Sequence, residues 1–427
     1  MTIVDRTKAP IFNTIDNVDF IRADERKLAS GIPVYIVNAG EQDLIRIEFV
    51  FDAGIKYQSK PLLASSVANN VFEGTVKYSA QQIAEKLDYF GAFFETEVNQ
   101  DTATVTLYTL NKHLSNTLSF FYETFSSAIF PKEELDLYLQ NKKSKYLVSS
   151  KKVNSVARKK FNELLFGEKH PLGYYVQLED YDAISVADLK SFFDKYYTAS
   201  NCKIIVSGKV PTTIIDLLNT CLGDLKSNSS IQPFTIHAIQ STQQKINCIV
   251  KDDAIQSAIR IGRVLFNRTH PDFVPMLVVN TILGGYFGSR LMSNIREDKG
   301  YTYGIGSGLV SMKDLGYFFI STEVGVDVCA SAINEIYFEL DKLCTDLVAD
   351  SELELVKNYM LGVFLRTIDG PFALADKFKN INDYNLTYDY YTHYVNTVKN
   401  ITANQIRDLA NKYLAKQNMI ELVVGKK

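Results

Sequence analysis

Ile184-Ser185-Val186-Ala187-Asp188-Leu189 is answered 217 residues later by Ile401-Thr402-Ala403-Asn404-Gln405-Ile406, and the correspondence runs on without a gap. Lys195-Tyr196 matches Lys412-Tyr413, Asn201 matches Asn418, and Val206 with Gly208-Lys209 matches Val423 with Gly425-Lys426. Each copy reads as a capped helix, a short turn and a closing apolar strand. A fixed-period echo of this length marks an internal duplication. A weaker echo links Glu134-Leu135 and Leu137 to Glu352-Leu353 and Leu355.

The duplication predicts two homologous domains of similar size, residues 1–222 and 241–427. The linker is expected at 223–240, where Lys226-Ser227-Asn228-Ser229-Ser230 and Pro233 give a polar, turn-rich composition. Within the first copy, Ile45, Ile47, Phe49 and Phe51 alternate with Arg46, Glu48 and Asp52, the period-two pattern of a strand with one wet face. Thr102 to Tyr108 repeats it with Ala103, Val105 and Leu107 inward. Ser79 opens a helix with Gln82 at the capping-box position and Gly91 closing it. Leu114, Leu118, Phe121 and Phe125 mark another helix. The expected fold class is α+β: two homologous domains, each an antiparallel sheet with helices packed on one face.

At 427 residues, 46% hydrophobic and 22% charged, the composition is that of a globular protein. A net charge of −3 gives no broad electrostatic footprint for nucleic acid. No apolar run reaches 18 residues, so no membrane partner is expected. Cys202, Cys221, Cys248, Cys329 and Cys344 are widely spaced and odd in number, which suits free thiols in a reducing compartment. Met1 to Phe20, broken by Asp5, Arg6, Lys8 and Pro10, lacks the apolar core of a signal peptide. A cytoplasmic location is expected, or a periplasmic one if a leader has been removed.

Candidate chemistry is sparse. His113, His170, His237, His270 and His393 are all isolated, and none lies three or four residues from another, as a helical zinc site requires. Ile282 to Gly288 is glycine-rich but lacks the Lys-Ser/Thr of a phosphate loop and reads as a turn between helices. From Asn141 to Lys160 there are eight Lys/Arg residues and no Asp or Glu. That run is either a solvated helix face or an electropositive wall that attracts acidic peptide or a partner.

The order of these segments resembles the pitrilysin/insulinase-type zinc peptidases, or inverzincins, over nearly the whole chain. Their signature is H-x-x-E-H. Family members carry a run like H-F-L-E-H-M-L-F-K-G-T; here it reads Ser65-Ser66-Val67-Ala68-Asn69-Asn70-Val71-Phe72-Glu73-Gly74-Thr75. Phe72, Gly74 and Thr75 are kept. Ser65 and Asn69 replace the histidines and Ala68 the glutamate, so these are degenerate metal-site positions that hold no zinc and no general base. The family's third ligand, a Glu, would fall near Val148 to Ser150, inside a stretch from Leu137 to Asn162 free of carboxylates. Glu168-Lys169-His170-Pro171-Leu172-Gly173 matches a family stretch in which the histidine orders a turn.

Gly288-Ser289-Arg290-Leu291 and Ile295-Arg296-Glu297-Asp298-Lys299-Gly300-Tyr301-Thr302-Tyr303 resemble the family run S-S-R-L…I-R-E-K-R-G-L-A-Y. Spacing alone reads Arg296 and Tyr303 as a surface ion pair and a core tyrosine. The resemblance instead implies a pair that closes over the substrate. It implies half of a clamshell chamber and a non-catalytic subunit of a heterodimeric zinc metallopeptidase, inactive alone. Zinc would sit only in the partner, a paralogue retaining H-x-x-E-H, with peptide as substrate and a homodimer allowed for the isolated chain. The alternatives are a structural protein like respiratory-complex core subunits, or a peptide-binding module. The family's N-A-x-T edge strand reads Glu95-Thr96-Glu97-Val98 here, which counts against peptide capture by this chain alone.

Overall fold

The computed structural model describes residues 7, 20–223, 225, 227 and 238–427. His237 and most of the expected 223–240 linker lie outside them. The strands are β1 (Asp24–Lys27), β2 (Pro33–Asn38), β3 (Leu44–Phe51), β4 (Phe93–Val98), β5 (Ala103–Leu110), β6 (Cys202–Gly208), β7 (Ile246–Val250), β8 (Gln256–Leu265), β9 (Ile305–Ser311), β10 (Gly316–Gly325) and β11 (Ile420–Gly425). The first-half helices are α1 (Leu63–Asn70), α2 (Ala80–Phe90), α3 (Leu114–Ser126), α4 (Lys132–Ser149), α5 (Val153–Phe166), α6 (Val186–Tyr196) and α7 (Ile214–Leu222). Those of the second half are α8 (Phe273–Asn280), α9 (Cys329–Thr345), α10 (Asp350–Arg366), α11 (Pro371–Asn382), α12 (Asp389–Asn400) and α13 (Ala403–Leu414).

Two sheets result, ordered β1-β2-β6-β3-β5-β4 and β7-β11-β8-β10-β9. Apart from β1, the two orders are the same, strand for strand. The repeated segments that open α6 and α13 form the same capping box: Ser185 with Asp188, and Thr402 with Gln405, each exchange two backbone–side-chain hydrogen bonds. Gly208 and Gly425 end the equivalent strands β6 and β11 at φ +120° and +137°. A Cβ at Gly208 would meet Leu44 O at 2.2 Å, and one at Gly425 the Ser257 Oγ at 2.6 Å. Both positions therefore need glycine. The weaker echo also holds, since Leu135 and Leu353 are buried while Leu137 and Leu355 are exposed.

The sheets depart from pure antiparallel pairing in one place each. β6 returns parallel to β2, and β11 parallel to β7, because each closes its half after a long helical excursion. Helices α1, α3 and α7 cover one face of the first sheet around Phe49, Phe121 and Leu218. The second sheet packs in the same way against α8, α9 and α13 around Ile261, Ile336 and Leu414.

The opposite faces are covered by exchange. Helix α5, from the first half, lays Ala157, Phe161 and Leu165 on Ala258, Leu422 and Val424 of the second sheet. Helix α11, from the second half, lays Leu374, Ala375 and Phe378 on Val37, Val50 and Ile205 of the first. This overturns the wet face expected for β3. Arg46 and Glu48 are only 6% and 3% exposed. Glu48 pairs with Arg46 at 2.9 Å and with Lys379 of α11 at 2.7 Å, and Arg46 reaches Asp376 at 2.8 Å. Burial opposes the charge on Lys379, yet the pull of Glu48 raises its pKa overall. A second helix arriving from elsewhere in the chain turned a solvent face into an ion-paired interface.

Phe161→Ala should cost about 3–5 kcal/mol, the range for truncating a buried aromatic. Because Phe161 belongs to one half and packs on the sheet of the other, urea unfolding should show one transition moved to lower denaturant. Two separated transitions would contradict the interlock.

Candidate functional site

Ser65, Ala68 and Asn69 lie on α1, whose buried side packs under the first sheet through Leu63, Ala64 and Val67. Its polar side chains turn back on their own helix. Ser65 Oγ donates to Leu62 O at 2.9 Å, and Asn69 Nδ2 donates to Ser65 O at 2.8 Å. Tyr138 of α4 donates its hydroxyl to the same Ser65 carbonyl at 3.3 Å. Ala68 is buried. At the end of α4, Ser149 Oγ and Ser150 Oγ likewise donate to Tyr146 O and Leu147 O. A zinc ion needs anionic or imidazole donors with lone pairs directed at one point. A methyl group, a carboxamide and hydroxyls already bonded to backbone do not fit it. Among the described residues no cluster of three or more His, Cys, Asp or Glu side chains could hold a metal.

The motif's retained residues have packing roles. Phe72 sits 4.4 Å from Phe94 and 5.6 Å from Phe121, ring to ring. A Cβ at Gly74 would strike Pro131 at 2.7 Å, and Thr75 Oγ1 accepts from the N–H groups of Lys77 and Tyr78. His170 orders its turn by accepting from Leu172 N at 3.1 Å.

The second-half pair is built on a distorted helix. After α8 the chain forms π-helical turns at Thr281–Gly285 and again at Met292–Asp298. Such widened turns are rare and cluster at functional sites. The second turn is pinned from both sides. Arg290 donates from Nε and Nη2 to the two carboxylate oxygens of Glu352, both at 2.8 Å. Asn294 Nδ2 donates to Glu335 and Glu339 of α9 at 3.0 and 2.8 Å. Ile295 is fully buried.

Arg296 projects from this pinned segment. Its guanidinium carbon lies 4.6 Å from the Phe287 ring centroid and 5.7 Å from that of Tyr303. The loop to Tyr303 turns at Gly300, φ +65°, and is tied down by Tyr301 N to Ile295 O and by Thr302 Oγ1 to Glu323 O. Tyr303 is 94% exposed and Phe287 62%. The pair is thus neither an ion pair nor a core tyrosine, as spacing suggested. It is a cation–aromatic cluster in which a half-buried guanidinium lies between two exposed rings. Phe287 was not legible as part of it, because Ile282 to Gly288 read only as a turn.

Residues 183–360 match the family profile for the peptidase M16 inactive domain. A Rickettsia felis protein named an uncharacterized zinc protease is 23% identical over 397 residues, 90% of this chain and 93% of that one. Cytochrome b-c1 complex subunit 2 of Yarrowia lipolytica mitochondria is 22% identical over 217 residues, 48% of each chain. The crystal structure of a peptidase M16 inactive domain from Pseudomonas fluorescens superposes with a TM-score of 0.85 at 22% identity, covering 95% of this chain and 98% of that one. Over residues 183–360 the chain is similar to the M16 inactive domain, and the likeness to the solved structure shows the fold. Its fold is the paired α+β arrangement of a clamshell half.

Two outcomes are expected. After incubation with zinc and dialysis, elemental analysis should find no stoichiometric metal that depends on Asn69; one zinc per chain, lost in Asn69→Ala, would refute the reading of α1. Glu352→Ala should cost about 1.5–3 kcal/mol, the range for hydrogen bonds to a charged partner, seen as a lower urea midpoint.

Proposed function

We propose that this chain is the non-catalytic subunit of a two-chain zinc peptidase, supplying half of the chamber and the Arg296–Tyr303 contact to the substrate. The observation that carries this reading is an asymmetry. The polar side chains at the metal positions are spent on their own helix backbone, whereas the half-buried Arg296 and the exposed Tyr303 stand together on a segment pinned by Glu352, Glu335 and Glu339. A guanidinium fork and a phenol are suited to a peptide carbonyl whose oxygen gains negative charge. Activation of water would fall to a zinc-bearing paralogue retaining H-x-x-E-H. This chain would bind no cofactor of its own and would be inactive alone, with self-association open to the isolated chain.

The organisation we propose is two domains, 1–222 and 241–427, with 223–240 between them. No helix among the described residues is long and apolar enough to cross a membrane. The free thiols, with Cys202 and Cys329 buried, favour the cytoplasm.

A second reading, a structural subunit of a larger assembly, is favoured by the likeness to cytochrome b-c1 complex subunit 2. The two separate on what co-purifies with the native protein, a zinc peptidase or a membrane complex.

Mixed with the zinc-bearing paralogue, the wild-type chain should restore peptide cleavage that neither shows alone. Arg296→Ala or Tyr303→Phe should lower kcat of the mixture by about 10²–10³, the cost of losing one oxyanion donor. Gel filtration should show that association survives. Full activity of the double variant would reduce this subunit to a chamber wall.

A further inference from the structure

We propose that residues 141–160, the end of α4 and the start of α5, form a docking ridge for acidic polypeptide segments. The proposal deepens the chamber reading only by naming the substrate class, and binding to the ridge is testable on this chain by itself.

Helix α4 has 18 residues and buries only Leu135 and Leu139. Beyond Leu139 none of its side chains is buried, and Leu147 and Val148 are 48% and 62% exposed. An ordinary surface helix is held by an apolar stripe along its length; beyond Leu139 that stripe narrows to the half-buried Tyr146, which packs on Tyr175 and Tyr181, and Leu147 and Val148 are left open beside it.

The charge carried by residues 141–160 themselves is of one sign, with Asp253 and Glu323 lining a shared cavity beside Lys151 and Lys152. Neighbouring elements neutralise little of it: Asp182 takes Lys143 at 2.7 Å, and Glu163 takes Lys160. Among the described residues Lys142, Lys145, Lys151, Lys152 and Arg158 have no carboxylate in ion-pair reach, and all five are exposed. Two lysines are held by rings in place of carboxylates. The Lys159 ammonium lies 4.3 and 4.6 Å from the centroids of Tyr146 and Tyr175, and Lys142 lies 5.3 Å from that of Tyr138. Burial and the adjacent Arg158 lower the pKa of Lys159. So many uncompensated cations in a protein of net charge −3 set up a local field that draws in an anionic partner.

The partner's chemistry follows from what is interleaved with the charge. Leu147 and Val148 stand between Lys145 and Lys151, so an occupant must offer carboxylates and apolar side chains together. A polypeptide does so, and a phosphodiester backbone does not.

The test is fluorescence anisotropy with a labelled Glu/Leu/Ala peptide, its Lys/Leu/Ala counterpart, and a single-stranded oligonucleotide as competitor. The wild-type chain should bind the acidic probe, less tightly as salt rises. Lys142→Glu/Lys145→Glu/Arg158→Glu should weaken binding by about tenfold or more, equivalent to about 1.4 kcal/mol. Lys416→Glu, at an exposed site of the second half, should leave it unchanged. No binding by the wild type, equal binding by the triple variant, or a preference for the basic probe or the oligonucleotide would overturn the proposal. The ridge is read by acidic-probe binding to this chain alone and the in-trans pair by cleavage in the mixture with the paralogue, so failure of the one and failure of the other give different results.

Discussion

The reciprocal crossing of α5 and α11 is the constraint on which the rest of the molecule depends. Each half builds a sheet whose helices cover only one face, and an uncovered apolar face is unstable in water. The chain solves this by lending one helix from each half to the other. Phe161 and Leu165 seal the second sheet, and Leu374 and Phe378 seal the first. Neither half is complete without the other. The buried ions Arg46, Glu48 and Lys379 lie along this seam, where a one-residue shift of α11 would leave a buried charge unpaired. The seam thereby fixes register as well as contact.

That interlock sets what the surface can do. Helix α4 leads directly into the lent helix α5, so its free end is carried out to the junction of the halves. On the other side, the segment bearing Arg296 is held by bidentate and bifurcated contacts to α10 and α9, the helical layer of the second sheet. The cation–aromatic cluster is a feature of a rigid support, and pre-organised donors are the ones that serve a developing charge well.

The segment from Ser65 to Thr75 that resembles the metal motif divides into packing residues and helix-bound polar ones. Phe72, Gly74 and Thr75 persist where packing, a close approach to Pro131 and a turn need them. Ala68 is a buried methyl group, and the polar groups of Ser65 and Asn69 are satisfied by backbone carbonyls of Leu62 and Ser65.

The sequence by itself determined the duplication, the capped helices α6 and α13, and the glycines that end β6 and β11. These are local: a capping box or a left-handed φ is settled within a few residues. What decided the buried state of Arg46 and Glu48, the placement of Phe287 beside Arg296, and the exposure of Leu147 and Val148 was tertiary structure. Alternation in β3 correctly separated two faces, but which face meets water depended on a helix more than 300 residues away. Periodicity reports the direction of a side chain relative to its own backbone. What lies in that direction is decided only when distant segments pack.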